Sequence, residues 1–135
     1  MLRLPAAVYT EMVGHCLSGL PDEACGLLGG DPATGAAGHC YPTRNLAASA
    51  KLYEVDPQQH LRADRHAEAQ GMAIIGVFHS HTHTDPYPSP VDVRQAPDPT
   101  WHYVLVSLRH EVASVRSYRI VEGVISEESI AVDRR

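Results

Sequence analysis

The run Gly76-Val77-Phe78-His79-Ser80-His81 and the run Ser89-Pro90-Val91-Asp92, which begins after seven intervening residues, decide how this chain is read. The apolar stretch from Met72 to Phe78 predicts a buried strand that carries the two histidines out of its end. The two-residue period of a strand then puts both imidazoles on one face. Two imidazoles and a carboxylate with no fourth protein donor make an open zinc site, in which water takes the last position. Ser89-Pro90 is a helix-start signature, placing Asp92 in the first turn of a short helix that ends before Pro97. A purely local reading competes, because an acidic residue three places after a serine N-cap completes a capping box without any metal. His83 adds a second ambiguity by extending the pair to His-x-His-x-His, although Thr84-Asp85-Pro86 beside it predicts a turn.

Hydrolysis at such a site also needs a general base. Asp22-Glu23-Ala24-Cys25-Gly26-Leu27-Leu28-Gly29-Gly30 predicts a strand with glycines where the backbone is crowded, and the residues that follow Glu23 in it are mostly apolar. A carboxylate in buried surroundings needs a partner or a function. Activated water beside it supplies both, since Glu23 can take the proton and later pass it to a leaving amine.

Working outward, Pro5 to about Leu17 predicts an amphipathic helix with Leu4, Val8, Met12 and Cys16 on one face and Gly19 at its end. Asp31 to Gly35 is a turn, and His39 to Thr43 a returning strand that Pro42 confines to an edge or an end. Asn45 to Lys51 reads as loop and Leu52 to Val55 as a short strand. Asp56-Pro57 starts a second helix that runs to Gln70 and stops at Gly71. Trp101 to Leu108 and Val112 to Ile120 predict two strands. After a turn at Glu122-Gly123, one final strand runs from Val124 to about Val132. The sum is a mixed α/β or α+β fold, a sheet with three helices, spanning residues 1–135 as a single domain.

The chain is long enough for a core without staples. Cys16, Cys25 and Cys40 are odd in number and not spaced as Cys-x-x-Cys, so they predict buried free thiols in a reducing compartment. The N-terminus lacks the apolar core of a signal peptide, and the longest apolar-plus-glycine run, Gly71 to Phe78, is too short to cross a membrane. A cytoplasmic protein is expected. A net charge of −5 without a basic block argues against nucleic acid or an anionic membrane as partner. A zinc deaminase would need a Pro-Cys-x-x-Cys ligand pair, which the sequence lacks. A cysteine hydrolase built on Cys25 would need a histidine and an orienting Asn or Asp beside it. His15, His39, His60, His66, His102 and His110 read as solvated or structural.

Together Glu23, His79-Ser80-His81, Ser89 and Asp92 resemble the full signature of the JAMM (MPN+) zinc metallopeptidases, and the likeness covers nearly the whole chain. That resemblance implies the family's mixed sheet flanked by helices, similar to the cytidine deaminases. It implies one Zn2+ per chain held by His79, His81 and Asp92, with Glu23 as general base then acid. It further implies that Ser89 donates to the oxyanion of the tetrahedral intermediate. The run His81-Thr82, then Tyr87 to Val93, together with Tyr103 to Ser107, is similar to the small bacterial members. These release an amino acid, cysteine in the best-known case, from the C-terminal Gly-Gly of a ubiquitin-like sulfur carrier, in cysteine biosynthesis. The expected partner is therefore such a carrier, its extended tail pairing beside an exposed strand edge. Oligomeric state stays open, a homodimer included. Alternatives within the resemblance are a deubiquitinase-like isopeptidase with another ubiquitin-like substrate, or a non-catalytic scaffold of the same fold.

Overall fold

The computed structural model describes residues 1–134, and its frame is an eight-stranded mixed sheet with helices packed against both faces. Along the chain run β1 (Leu2–Pro5), α1 (Ala6–Ser18), β2 (Cys25–Asp31), β3 (Ala36–Thr43), α2 (Pro57–Ala69) and β4 (Ala73–His81). Then follow α3 (Pro90–Arg94), β5 (His102–Ser107), β6 (Ser114–Val121), β7 (Val124–Glu128) and β8 (Ile130–Asp133). Across the sheet the order is β7-β6-β5-β4-β2-β3-β1-β8. The pairs β4/β5, β1/β3 and β1/β8 are parallel and the others antiparallel.

Each long helix is set by a short apolar stripe. Val8, Met12 and Cys16 recur every four residues on α1 and pack on Leu28, Cys40, Ile75 and Phe78. On the other face α2 lays Ala63 and Ala67 against Leu27, Ile74 and Val77, small residues that let helix and sheet approach closely. Its start is fixed by Asp56, whose carboxylate accepts from the Gln58 and Gln59 amides, with Pro57 at the first helical position.

A bulge in β4 decides which face receives the histidines. Leu28 pairs with Gly76 but Gly29 pairs with Ile74, so Ile75 is an extra residue in the strand. Ile75 packs with the α1 core, yet Val77, two residues on, packs with the α2 core. Strict alternation would have left them on one face. From Val77 onward the parity is regular, and His79 and His81 therefore follow Val77 while Phe78 and Ser80 face α1. Gly76 is required here because a Cβ would collide with the carbonyl of His102 on β5.

The connection from β4 to parallel β5 leaves the end of β4 that bears the histidines and must cross back to the start of β5. That crossover carries α3, and with it Ser89 and Asp92, over the histidine end of β4.

Several boundaries differ from the sequence reading. Leu4 lies in β1 rather than on the α1 face, since Leu2–Pro5 pairs in parallel with Ile130–Asp133. The predicted closing strand is two strands, β7 and β8, hinged at Ser129, and they sit at opposite ends of the sheet order. Leu52–Val55 is no strand but part of a loop with one isolated bridge between Asn45 and Val55. Glu23 stands just before β2, not within it. Its amide donates to the Ser49 carbonyl of that loop at 2.8 Å.

Candidate active site

At the end of β4 three donor groups converge. His79 Nε2 lies 3.3 Å from His81 Nε2, 3.2 Å separates His79 Nε2 from Asp92 Oδ1, and 2.9 Å separates His81 Nε2 from Asp92 Oδ2. All three residues are buried. Among the described residues theirs are the side chains whose histidine, cysteine or carboxylate donor atoms cluster as a metal site would. His83 stands outside the cluster, exposed.

The residues fit zinc. Two nitrogens each bonded to one zinc at the tetrahedral angle stand about 3.3 Å apart, which matches the observed separation of the two Nε2 atoms. The donor set, two imidazoles and one carboxylate, is also one that open zinc sites use. His81 Nδ1 is 2.9 Å from the Asp85 carbonyl, which can only accept, so Nδ1 carries the proton and Nε2 is turned toward the cluster. His79 is held differently, by Tyr53, whose buried ring stacks on it at 4.1 Å between centroids with 19° between planes.

Electrostatics follow from this packing. Burial pushes the Asp92 carboxyl up, but hydrogen bonds with His79 and His81, and that from the Ser89 amide, outweigh it and hold Asp92 well below the usual carboxylate range. Burial lowers His79, with Asp92 opposing. For His81 burial also works downward, but its bonds to Asp92 and the Asp85 carbonyl win and raise it.

Glu23 faces this cluster with a polar atom left over. Its side chain is buried, and Oε1 has no hydrogen-bond partner. Burial lifts its pKa to about 7, His81 pulling down and Asp92 pushing up. An unpartnered buried carboxylate is costly to keep unless something polar is brought to it. A carboxyl poised near neutrality is suited to accept and return a proton.

Ser89 caps α3 and also lines the cavity. Its Oγ accepts from the Asp92 amide at 3.1 Å, and Asp92 Oδ2 accepts from the Ser89 amide at 2.9 Å, a complete capping box. The same Asp92 oxygen bonds His81, so the cap and the cluster share one carboxylate. The cap uses the Ser89 hydroxyl only as an acceptor, and Ser89 lines the same cavity as Glu23 and His81.

Four contributors have no role assigned from the sequence. Tyr53 sits in the segment read as a strand, Asp85 acts through its carbonyl, and Ser80 had no role beyond spacing the histidines. Ser80 Oγ, fully buried, accepts from the Ala24 amide at 2.8 Å beside Glu23. Asn45 also serves the site, donating through Nδ2 to the Glu23 and Leu52 carbonyls at 2.9 and 3.0 Å. Only the Ser80 position, between two histidines, could have been suspected from its place in the chain.

The cysteines are free and buried. Burial pushes the Cys25 thiol up to about 11, and its Sγ lies 3.4 Å from Thr43 Oγ1, with no imidazole nitrogen among its bonds. His15 contacts the Cys25 carbonyl instead. Cys25 is therefore packing, not a nucleophile. His102, read as solvated or structural, is buried and paired with Glu128 at 2.6 Å.

Residues 5–121 match the family described as prokaryotic homologs of the JAB domain. The chain is 38% identical to the CysO-cysteine peptidase of Mycobacterium tuberculosis, over 98% of this chain and 91% of that protein. It is 32% identical to the desampylase of Haloferax volcanii, covering 78% of this chain and 80% of the relative. The solution structure of a protein from Desulfitobacterium hafniense superposes with a TM-score of 0.91 at 33% identity, covering 100% of this chain and 94% of the other.

Proposed function

Because the chain belongs to the prokaryotic JAB-domain family, we propose that it is a zinc-dependent peptidase acting on a ubiquitin-like sulfur-carrier protein. It hydrolyses the amide bond after the carrier's C-terminal Gly-Gly and releases one amino acid, cysteine, in cysteine biosynthesis. The observation that carries the reading is the buried Glu23, its Oε1 without a partner, sharing a cavity with His81 of the His79, His81 and Asp92 cluster. The similarity to a CysO-cysteine peptidase over nearly the full chain supports the substrate class. Three free thiols fit a reducing cytoplasm.

His79, His81 and Asp92 would hold the metal. The chemistry a zinc ion supplies when bound there is Lewis acidity toward the scissile carbonyl and toward water. Glu23 takes one proton from the attacking water and delivers it to the amide nitrogen as the C–N bond breaks. Ser89 offers its hydroxyl proton to the carbonyl oxygen as negative charge grows there. Tyr53 and the Asp85 carbonyl keep the two imidazoles oriented through both steps.

The substrate tail cannot pair with the strand that bears the histidines, because β2 and β5 occupy both edges of β4. A groove of about 500 Å³ is open instead, lined by Tyr53, whose ring stacks on His79, and by Val55, Val77, Trp101 and Tyr103, and it is a candidate path for the extended tail. No described helix is long and apolar enough to cross a membrane.

The test is incubation of the zinc-loaded protein with a carrier–cysteine adduct, read by intact mass. Loss of one cysteine residue, abolished by a zinc chelator, is expected. An intact adduct alongside cleavage of lysine-linked conjugates would move the protein to the isopeptidases. No cleavage of either would leave a scaffold.

A further inference from the structure

Lys51 is the only lysine in the chain; the other ten of its eleven basic residues are arginines. It is exposed and lines the candidate catalytic cavity. That cavity, about 210 Å³, is lined by Glu23, His81 and Ser89 together with Lys51, Thr82 and His83. We infer that Lys51 sets leaving-group specificity, its ammonium binding the free α-carboxylate of the released amino acid. This rests on the peptidase reading above and adds to it the reason a terminal amino acid is chosen.

Proton accounting places the leaving residue. Water's oxygen bonds the scissile carbon, the C–N bond breaks, and the proton taken by Glu23 goes to the departing nitrogen. That nitrogen must therefore approach Glu23, inside the small cavity. In a terminal amino acid the α-carboxylate is only two bonds from that nitrogen, so a second negative charge enters the same space. Asp92 is offset by the metal it would hold and Glu23 has by then taken a proton, so selecting this carboxylate needs a cation of the protein's own within its reach.

Lys51 meets that need. Among the described residues Lys51 has no ion-pair partner, and it is the one lysine or arginine that lines this cavity. Its backbone is anchored to the site: the Lys51 amide donates to Ser49 Oγ at 3.0 Å, and the Ser49 carbonyl accepts from the Glu23 amide at 2.8 Å. The neighbouring Ala50 carbonyl accepts from Thr82 Oγ1, next to His81, at 3.3 Å. A fixed backbone with a flexible four-carbon stem lets a compact charge reach a carboxylate in a small space. A lysine of a target protein, linked through its ε-nitrogen, brings no carboxylate to that position.

The test compares two substrates on the zinc-loaded full chain. One is the carrier adduct ending Gly-Gly-Cys as the free acid, the other the same adduct as its C-terminal carboxamide. The wild type is expected to prefer the acid by roughly 10- to 100-fold in kcat/KM, mainly through KM. Lys51→Met brings that ratio close to 1, and Lys51→Arg retains most of it. Equal cleavage of acid and amide by the wild type, or an undiminished preference in Lys51→Met, overturns the assignment of Lys51 while leaving the peptidase reading standing. Cleavage of neither adduct by the wild type refutes that reading and this inference with it.

Discussion

Ser80 and Ala24 are joined twice: the Ser80 amide donates to the Ala24 carbonyl at 2.9 Å, and Ser80 Oγ accepts from the Ala24 amide at 2.8 Å. The serine between the two histidines thus fixes the residue after Glu23, and the base and the metal ligands are registered to each other through it. Ser80→Ala leaves the Ala24 N–H buried and unpaired, which costs about 1–3 kcal/mol. The expected result is a lower Tm and reduced kcat with zinc content unchanged. Wild-type kcat at unaltered zinc occupancy would detach Ser80 from Glu23.

Glu23→Gln keeps the shape of the side chain but cannot accept the proton. Turnover should fall by roughly 100- to 10,000-fold, while zinc measured by metal analysis stays near one per chain. His81→Ala, in contrast, should lose the metal, and His83→Ala should keep it. Zinc loss from the Glu23 variant would make that carboxylate a ligand.

Ser89→Ala separates two jobs that share one hydroxyl. Losing the cap lowers stability by about 1 kcal/mol. Losing the oxyanion donor slows turnover by roughly 100- to 1,000-fold. Because the Ser89 backbone amide still holds Asp92 Oδ2, zinc binding should survive. A variant with a lower Tm and near-normal turnover reduces Ser89 to a cap.

The acid limb of stability is predicted to involve Glu128. Burial pushes this carboxyl up, but hydrogen bonds from His102 and Ser117 and the nearby N-terminal ammonium prevail and lower it below its ordinary value of 4.5. A depressed carboxylate contributes stability that is whole above its unfolded pKa and is lost as pH falls through the folded one. Denaturation of wild type and Glu128→Gln between pH 7 and pH 3 should therefore show a gap in stability that closes below about pH 4.5. A gap independent of pH would mean that the variant removes packing rather than charge.

The sequence by itself determined the chemistry of the donor set and the local geometry that presents it. A period of two carries His79 and His81 together, Ser89-Pro90 starts the helix that bears Asp92, and Asp56-Pro57 starts α2, because caps and strand alternation are properties of a few adjacent residues. Tertiary structure alone decided the rest. The bulge at Ile75 selects the face on which the histidines emerge, and it exists only through pairing with β2. β1 and β8, four residues each, are too short for a pattern and form because they pair with each other from opposite ends of the chain. Tyr53, Ser80, Asn45 and Lys51 acquire their places through contacts with residues distant in sequence, or through a loop held by such contacts. A side chain's neighbours across a sheet or a cavity are set by packing of the whole, which no local period encodes.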